Sequence, residues 1–213
     1  LQAEGRLVVK NNGDSVPVVL HPEHDMYVPE LVFGHLLTSS NYDDTQQRTT
    51  GGRNGMGGKL ACVFAREFRV HAADHHRGLQ MTLTWQDNMA RKVVKAPTAY
   101  KAKTTGFTEV SWRPDFAKLN CAGLDADAVA LFVRRAYDLA GTAGVRVKLT
   151  LDGMAKPLVI EKRSFAAYAD QYLGKAPRVH AKCGERWEVA LALAPDAAFR
   201  QVSFVNAICT ARG

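Results

Sequence analysis

Thr50–Leu60, "TGGRNGMGGKL", places five glycines in eleven residues just ahead of a segment with helical spacing. Glycine loses more conformational freedom on folding than any other residue, so such density marks backbone that must turn tightly or lie close to something else. Two familiar phosphate-binding loops are excluded by counting. A P-loop requires G-x-x-x-x-G-K-[ST]; Gly58-Lys59 fits its end, but Arg53 stands at the first glycine and Leu60 at the hydroxyl. The dinucleotide fingerprint G-x-G-x-x-G fails as well, because from Gly55 and Gly57 its third glycine falls on Leu60. What remains is G-x-x-G-x-G-x-K, from Gly52, Gly55, Gly57 and Lys59, running into a helix. The amides and positive dipole end of a helix attract anions, glycines admit phosphate close to the backbone, and Lys59 adds a point charge. Arg53 and Asn54 add donors. The competing reading is a flexible surface loop with an incidental lysine.

Upstream, Val28, Leu31, Val32 and Leu36 recur at helical spacing, with Pro29 suited to a first helical turn. Residues 38–55 then form an eighteen-residue run with almost nothing apolar, which in a compact domain is functional or disordered. Downstream, Leu60, Val63 and Phe64 share one helical face. Leu7–Val9 reads as a strand ending in a turn at Asn11–Asp14, and "FRVHAAD", "LQMTLTWQD" and "GFTEVSWRP" alternate as strands do. The polar, basic segment 88–106 is expected to be a surface loop. In "LDADAVALFVRRAYDLAG", Val129, Phe132, Val133, Ala136, Tyr137 and Ala140 form one apolar stripe. Asp125 or Asp127 can cap its start, and Gly141 can end it in the left-handed conformation. "VRVKLTLDG" is a further strand and turn, "SFAAYADQYLG" a short helix, and "RWEVALALAP" and "FRQVSFVNAIC" two strands joined by a short turn. Without strict βαβ alternation, this mixture predicts a two-layer α/β sandwich of the α+β class rather than a doubly wound sheet.

The 213 residues suffice for one sizeable core or two small ones, and 46% hydrophobic with 23% charged residues is the balance of a soluble globular protein. No apolar run approaches the roughly 20 residues of a membrane span, so no membrane partner is expected. No secretory signal is visible at the start. The first residue is not Met and the chain begins close to a strand, as a piece of a longer protein would. A net charge of +7, scattered rather than clustered, permits nucleic acid or phosphate ligands without demanding them. Cys62, Cys121, Cys183 and Cys209 form no C-x-x-C, so reduced, buried thiols in an intracellular protein are expected rather than a disulfide or metal framework.

The flanks of the glycine stretch carry a resemblance. "PELVFGHLLTSSNYDD" followed by "TGGRNGMGGKLACVF" is similar to the ATPase region of eukaryotic-type DNA topoisomerase II. That family belongs to the GHKL ATPases with gyrase, a class of chaperones, histidine kinases and the MutL proteins. The similarity continues in family order through "TWQDNM", "RPDFAKL", "VALFVRRAYDLAG", "RWEV" and "QVSFVNAICT", nearly the whole chain.

The resemblance implies a GHKL-type ATP-binding domain over residues 1–160, lacking its N-terminal part, and the beginning of a transducer domain over 161–213. It implies ATP and Mg2+ as cofactors. Asn11 would lie near the adenine, Ser39, Ser40 and Asn41 on ribose and phosphate oxygens, and Gly52, Arg53, Asn54, Gly55, Met56, Gly57, Gly58 and Lys59 around the phosphates. Residues Tyr42–Thr50 become a lid ordered by ATP. Apart from the resemblance, Asn11 reads as a turn former and Ser39–Asn41 as helix punctuation. The family's general base, a Glu, and its magnesium-binding Asn precede the position of Leu1, and its switch lysine follows Gly213. No catalytic or metal residue is therefore expected here, and the isolated chain is expected to hydrolyse ATP barely or not at all. The implied parent is a nuclear homodimer, or an organelle isoform, that passes one DNA duplex through a transient double-strand break in another. The alternatives are another GHKL ATPase or a nucleotide-binding module without turnover. Three residues depart from the family pattern: Ser15 for a glycine, which is strained if φ is positive there, Met56 for Tyr, and Gly58 for Ala. Asp14 also brings negative charge toward a polyphosphate.

Other candidates read more plainly. His71, His75 and His76 in "HAADHH", like His21 and His24, lack a carboxylate or cysteine at ligand spacing and read as exposed histidines. Arg134 and Arg135 turn away from the apolar stripe toward a solvated or ion-paired face. Trp85, Trp112 and Trp187 are expected in the core. Lys92, Lys95, Lys101 and Lys103 are candidate DNA contacts.

Overall fold

The computed structural model describes residues 5–43, 45, 48, 51–102, 104–161 and 164–210. Of the expected lid, Asp44, Gln46, Gln47, Thr49 and Thr50 lie outside the described residues, as does Lys103. The chain divides into two compact units, Leu1–Gln47 with Gly52–Leu124, and Arg48–Gly51 with Asp125–Gly213. The boundary expected near residue 160 falls inside the second unit.

In the first unit the alternating segments form one antiparallel sheet. Its strands are β1 (Leu7–Asn11), β2 (Ala65–Asp74), β3 (Leu79–Gln86), β4 (Arg91–Val94), β5 (Thr98–Ala99) and β6 (Phe107–Pro114). They run in the order β1-β6-β2-β3-β4, with β5 also pairing with β3. Register places Phe68 opposite Trp85, Val70 opposite Leu83 and Ala72 opposite Met81. A strand's period of two puts all six on one face, and all six are buried. Burying a side chain the size of Phe68 contributes about 3 kcal/mol. Helices α1 (Val28–Gly34) and α2 (Gly57–Val63) pack on this core, with the Phe33 and Phe68 rings 6.3 Å apart and Cys62 fully buried. Gly34 permits the approach, because a Cβ there would meet Trp85 Cζ2 at 2.8 Å.

Several expectations change here. The basic segment 88–106 is not all loop; it supplies β4 and β5, whose residues are exposed at the edge of the sheet. Leu31 is buried, but Val32 is exposed and Leu36 lies exposed beyond the end of α1. In α2 the buried face is Lys59 and Cys62, while Leu60 and Phe64 are exposed. At seven residues, this helix is oriented by the seating of Cys62 in the core, and Lys59, three residues earlier, follows it inward.

The second unit is built on α3 (Ala126–Thr142), whose Asp125 cap accepts from the Ala128 amide at 2.8 Å. Its stripe packs through Ala136 and Ala140 against Ile160 of the hairpin β7 (Arg146–Leu149) and β8 (Leu158–Glu161). Gly141 does not end the helix. It lies where a Cβ would be 2.3 Å from Tyr168 Cγ of α4 (Phe165–Leu173), so glycine is there for close helix packing, and the left-handed residue is Gly144 at φ +64°. The Tyr168 hydroxyl donates to the buried Asp138 carboxylate at 2.6 Å, and Arg135 pairs with the other oxygen of that carboxylate at 2.8 Å. The strand at "RWEVALALAP" is β10 (Trp187–Ala192), which pairs backward with the unforeseen β9 (Arg178–Cys183). β11 (Phe204–Val205) and β12 (Ile208–Cys209) form a separate small hairpin. Trp85 is buried and Trp112 half-buried, but Trp187 is exposed. Of the thiols, Cys62 alone is buried.

Candidate functional site

The glycine stretch folds back on the end of the preceding helix. Gly55 sits at φ +61°, where a Cβ would lie 3.2 Å from Lys59 Nζ and 3.3 Å from Ser39 Cβ. Glycine alone lets the loop come this close to both. Gly52, at φ +82°, accepts through its carbonyl from Asn41 Nδ2 at 3.0 Å, and the Asn41 amide donates to Ser39 Oγ at 3.1 Å. The Tyr42 hydroxyl donates to the Asn54 carbonyl at 3.4 Å. Ser39, Asn41, Gly52, Asn54, Gly55 and Lys59 therefore converge through a chain of direct contacts. Ser40, Arg53 and Met56 are exposed around them.

Lys59 is the electrostatic centre of the cluster. It is 3% exposed, and its ammonium donates to Thr38 Oγ1 at 2.7 Å. The Thr38 hydroxyl faces the carbonyls of Leu31 and His35 at 3.2 and 3.1 Å, which fixes it at the end of α1. Among the described residues no carboxylate forms an ion pair with Lys59. Burial pulls its pKa below the ordinary lysine value, because the charged form has lost water without gaining a counter-charge. An anion placed at this end of α2 relieves that cost. Met56 caps α2 with no side-chain hydrogen bond, and a Cβ on Gly57 would meet nothing within 4 Å, so the side of the first helical turn at Gly57 is open. A Cβ on Gly58 would lie 4.0 Å from Phe33 Cδ1, which leaves room for the alanine of the family pattern. Cys62 is no nucleophile: burial pushes its thiol up to about 12.

Asn11 ends β1 opposite Thr108, exposed and outside this contact set. Ser15 does not have a positive φ, so the strain expected of it does not arise, and its hydroxyl donates to the Val16 carbonyl at 3.0 Å. Thr38 was not anticipated. The only signal for it was a hydroxyl residue abutting a helix end, which nothing in the sequence linked to Lys59. The histidines of "HAADHH", expected to find no carboxylate at ligand spacing, meet one that is distant in sequence: Asp14 Oδ1 lies 3.3 Å from His76 Nε2.

No protein-family model matches the chain. Over 96% of its length it is 46% identical to DNA topoisomerase 2 of Pisum sativum, and over all of it 40% identical to DNA topoisomerase 2-alpha of Homo sapiens. The ATPase region of Saccharomyces cerevisiae topoisomerase II superposes with a TM-score of 0.83 at 39% identity, covering 97% of this chain and 53% of that one. The chain belongs to the eukaryotic DNA topoisomerase II family. It spans 14% of the length of these two curated relatives, and its match is to the ATPase region of the family. The ATPase domain of Thermus thermophilus gyrase B, 17% identical with a TM-score of 0.62, covers 89% of the chain and shares its fold. Within this topoisomerase II fold, the Lys59 cluster lies entirely in the first compact unit.

Proposed function

We propose that this topoisomerase II chain binds ATP, with the triphosphate held against the Gly52–Lys59 element. The observation that carries the reading is the buried Lys59 ammonium, held by a hydroxyl and paired with no described carboxylate, beside glycine-lined open space at a helix end. The amides of Gly57, Gly58 and Lys59 donate to phosphate oxygens and Lys59 Nζ is a fixed counter-charge. Ser39, Ser40 and Asn41 orient ribose and phosphate oxygens, Arg53, Asn54, Gly55 and Met56 form the outer wall, and Asn11 reads the adenine edge. ATP with its Mg2+ supplies the phosphoanhydride whose cleavage drives the parent enzyme. We assign no magnesium ligand and no general base to these residues, so on their own they bind nucleotide and turn it over barely. Residues 1–160 form the nucleotide-binding domain and 161–213 begin the transducer. The parent enzyme is a nuclear homodimer that passes one DNA duplex through a transient break in another, closing on nucleotide binding.

Titration with a non-hydrolysable ATP analogue tests the site. Lys59→Ala removes a hydrogen bond to a charged acceptor, worth about 1.5–3 kcal/mol, and weakens binding by about ten- to a hundredfold. Equal affinity in this variant refutes the phosphate assignment. Relaxation of supercoiled DNA by the full-length protein, with and without ATP, tests the parent activity, and relaxation that needs no ATP refutes the coupling.

A further inference from the structure

We propose that Asp14, His75 and His76 form a binding site for a divalent transition-metal ion of the zinc class, joining the turn after β1 to the turn between β2 and β3. One donor atom from each of the three lies within 4.8 Å of the other two. Zinc bonds to nitrogen and oxygen of about 2.0–2.2 Å place neighbouring donors of a tetrahedron roughly 3.3–3.6 Å apart. Asp14 Oδ1 and His76 Nε2 already stand 3.3 Å apart, so only the third donor has to close in. Two imidazoles and a carboxylate suit zinc, nickel and copper rather than magnesium or calcium, and the exposed Asp14 side leaves the fourth position to water.

The two turns are held in place by groups other than the ligands. The Asp74 carboxylate accepts from the Arg77 amide at 3.1 Å and its guanidinium at 3.0 Å, closing the turn that carries both histidines. The same carboxylate accepts from the Val18 amide at 3.0 Å, and Thr108 Oγ1 accepts from the Val16 amide at 3.1 Å. Both bonds anchor the segment that follows Asp14. Gly106 makes room for His75, since a Cβ there would lie 3.0 Å from His75 Nδ1 and 2.4 Å from the Ala73 carbonyl oxygen. That Nδ1 is buried with no hydrogen-bond partner, a rare condition in a native fold and one that asks for a ligand or a water. An exposed Asp14–His76 ion pair contributes little by itself, and the His75 ring, 3.9 Å from that of His76 between centroids, keeps its Nδ1 unpartnered. A shared metal ion accounts for all three side chains.

The test is a titration of the reduced chain with Co2+, then displacement by Zn2+. One equivalent is expected to saturate the chain, giving visible d–d bands without thiolate charge-transfer absorption. Asp14→Asn and His76→Ala are each expected to weaken binding by about tenfold or more. Both side chains are exposed, and His76→Gln with a circular dichroism melt guards against a folding defect. His24→Ala is the control: His21, Glu23 and His24 also cluster, but within one loop, and His21 Nδ1 already accepts from the Glu23 amide at 3.2 Å. Non-saturating binding, a cobalt spectrum showing thiolate ligation, parent-like affinity in the Asp14 and His76 variants, or loss confined to His24→Ala overturns the proposal.

Discussion

Gly57→Ala separates phosphate binding from stability. Gly57 opens α2 without a positive φ, and its added Cβ would meet no atom within 4 Å. Alanine therefore adopts the native backbone unstrained and restricts the unfolded chain, a gain of about 0.4–1 kcal/mol. With a urea slope of about 2 kcal/mol/M, the unfolding midpoint of the unliganded chain rises by about 0.2–0.5 M. The same methyl group stands in the open space beside the first amides of α2. If phosphate lies there, one charge-assisted amide bond is lost, about 1.5–3 kcal/mol, and nucleotide affinity falls about ten- to a hundredfold. Stability and affinity thus move in opposite directions, which general damage to the fold does not produce. Urea melts followed by circular dichroism and anisotropy titrations with a fluorescent ATP analogue measure both. A stabilised variant with unchanged affinity places the phosphates elsewhere and refutes the reasoning. Gly55→Ala is the counterpart: its φ of +61° adds a left-handed penalty of about 1–2 kcal/mol, so both quantities fall.

Three further perturbations probe the surroundings. Lys59→Met removes an uncompensated buried cation, so the unliganded chain is expected to gain stability while nucleotide binding weakens about ten- to a hundredfold, as in Lys59→Ala. Because the folded pKa of Lys59 lies below the ordinary lysine value of 10.5, the unfolded chain binds more protons in that window. The parent therefore gains stability as pH rises through it, and urea midpoints on approach to pH 10.5 should show that gain missing in Lys59→Met. For Asp74, burial opposes ionisation, but bonds from the Val18 amide, the Arg77 guanidinium and the Arg77 amide outweigh it and hold the carboxyl below 3.8. Its contribution is complete above pH 3.8 and is lost as pH falls through the depressed folded value; Asp74→Ala should remove about 2–3 kcal/mol at neutral pH and flatten the acid limb of the stability profile. Gly141→Ala drives a methyl to 2.3 Å from Tyr168 and should cost about 1–3 kcal/mol in a urea melt.

Local rules were sufficient where a segment's own pattern set its burial. Alternation marked β2, β3 and β6 as strands, although β6 buries the polar Thr108 and Ser111, and the long α3 carried both its apolar stripe and its Asp125 cap in sequence. They failed where a partner distant in the chain set the outcome. β4 and β9 are exposed along their whole length, so no hydrophobic alternation marked them; pairing with β3 and β10 makes them strands. Gly141 looked like a helix stop because a small residue near a helix end usually is one, yet the ring of Tyr168, from the next helix, is what requires it.

The candidate site divides along the same line. Its glycines and lysine were legible because close backbone approach and charge are properties of residue type. The burial of Lys59 was not, since a seven-residue helix has too few positions for an apolar stripe to outvote one well-seated Cys62. That orientation turns the ammonium toward Thr38, at the end of α1, and away from solvent. The lysine is thereby held at one point, where a surface lysine would sample many. A fixed charge with its solvation already lost interacts with an incoming phosphate without reorganising, and this makes the exposed apolar side chain of Leu60 the counterpart of a buried cation on a helix too short to hide both.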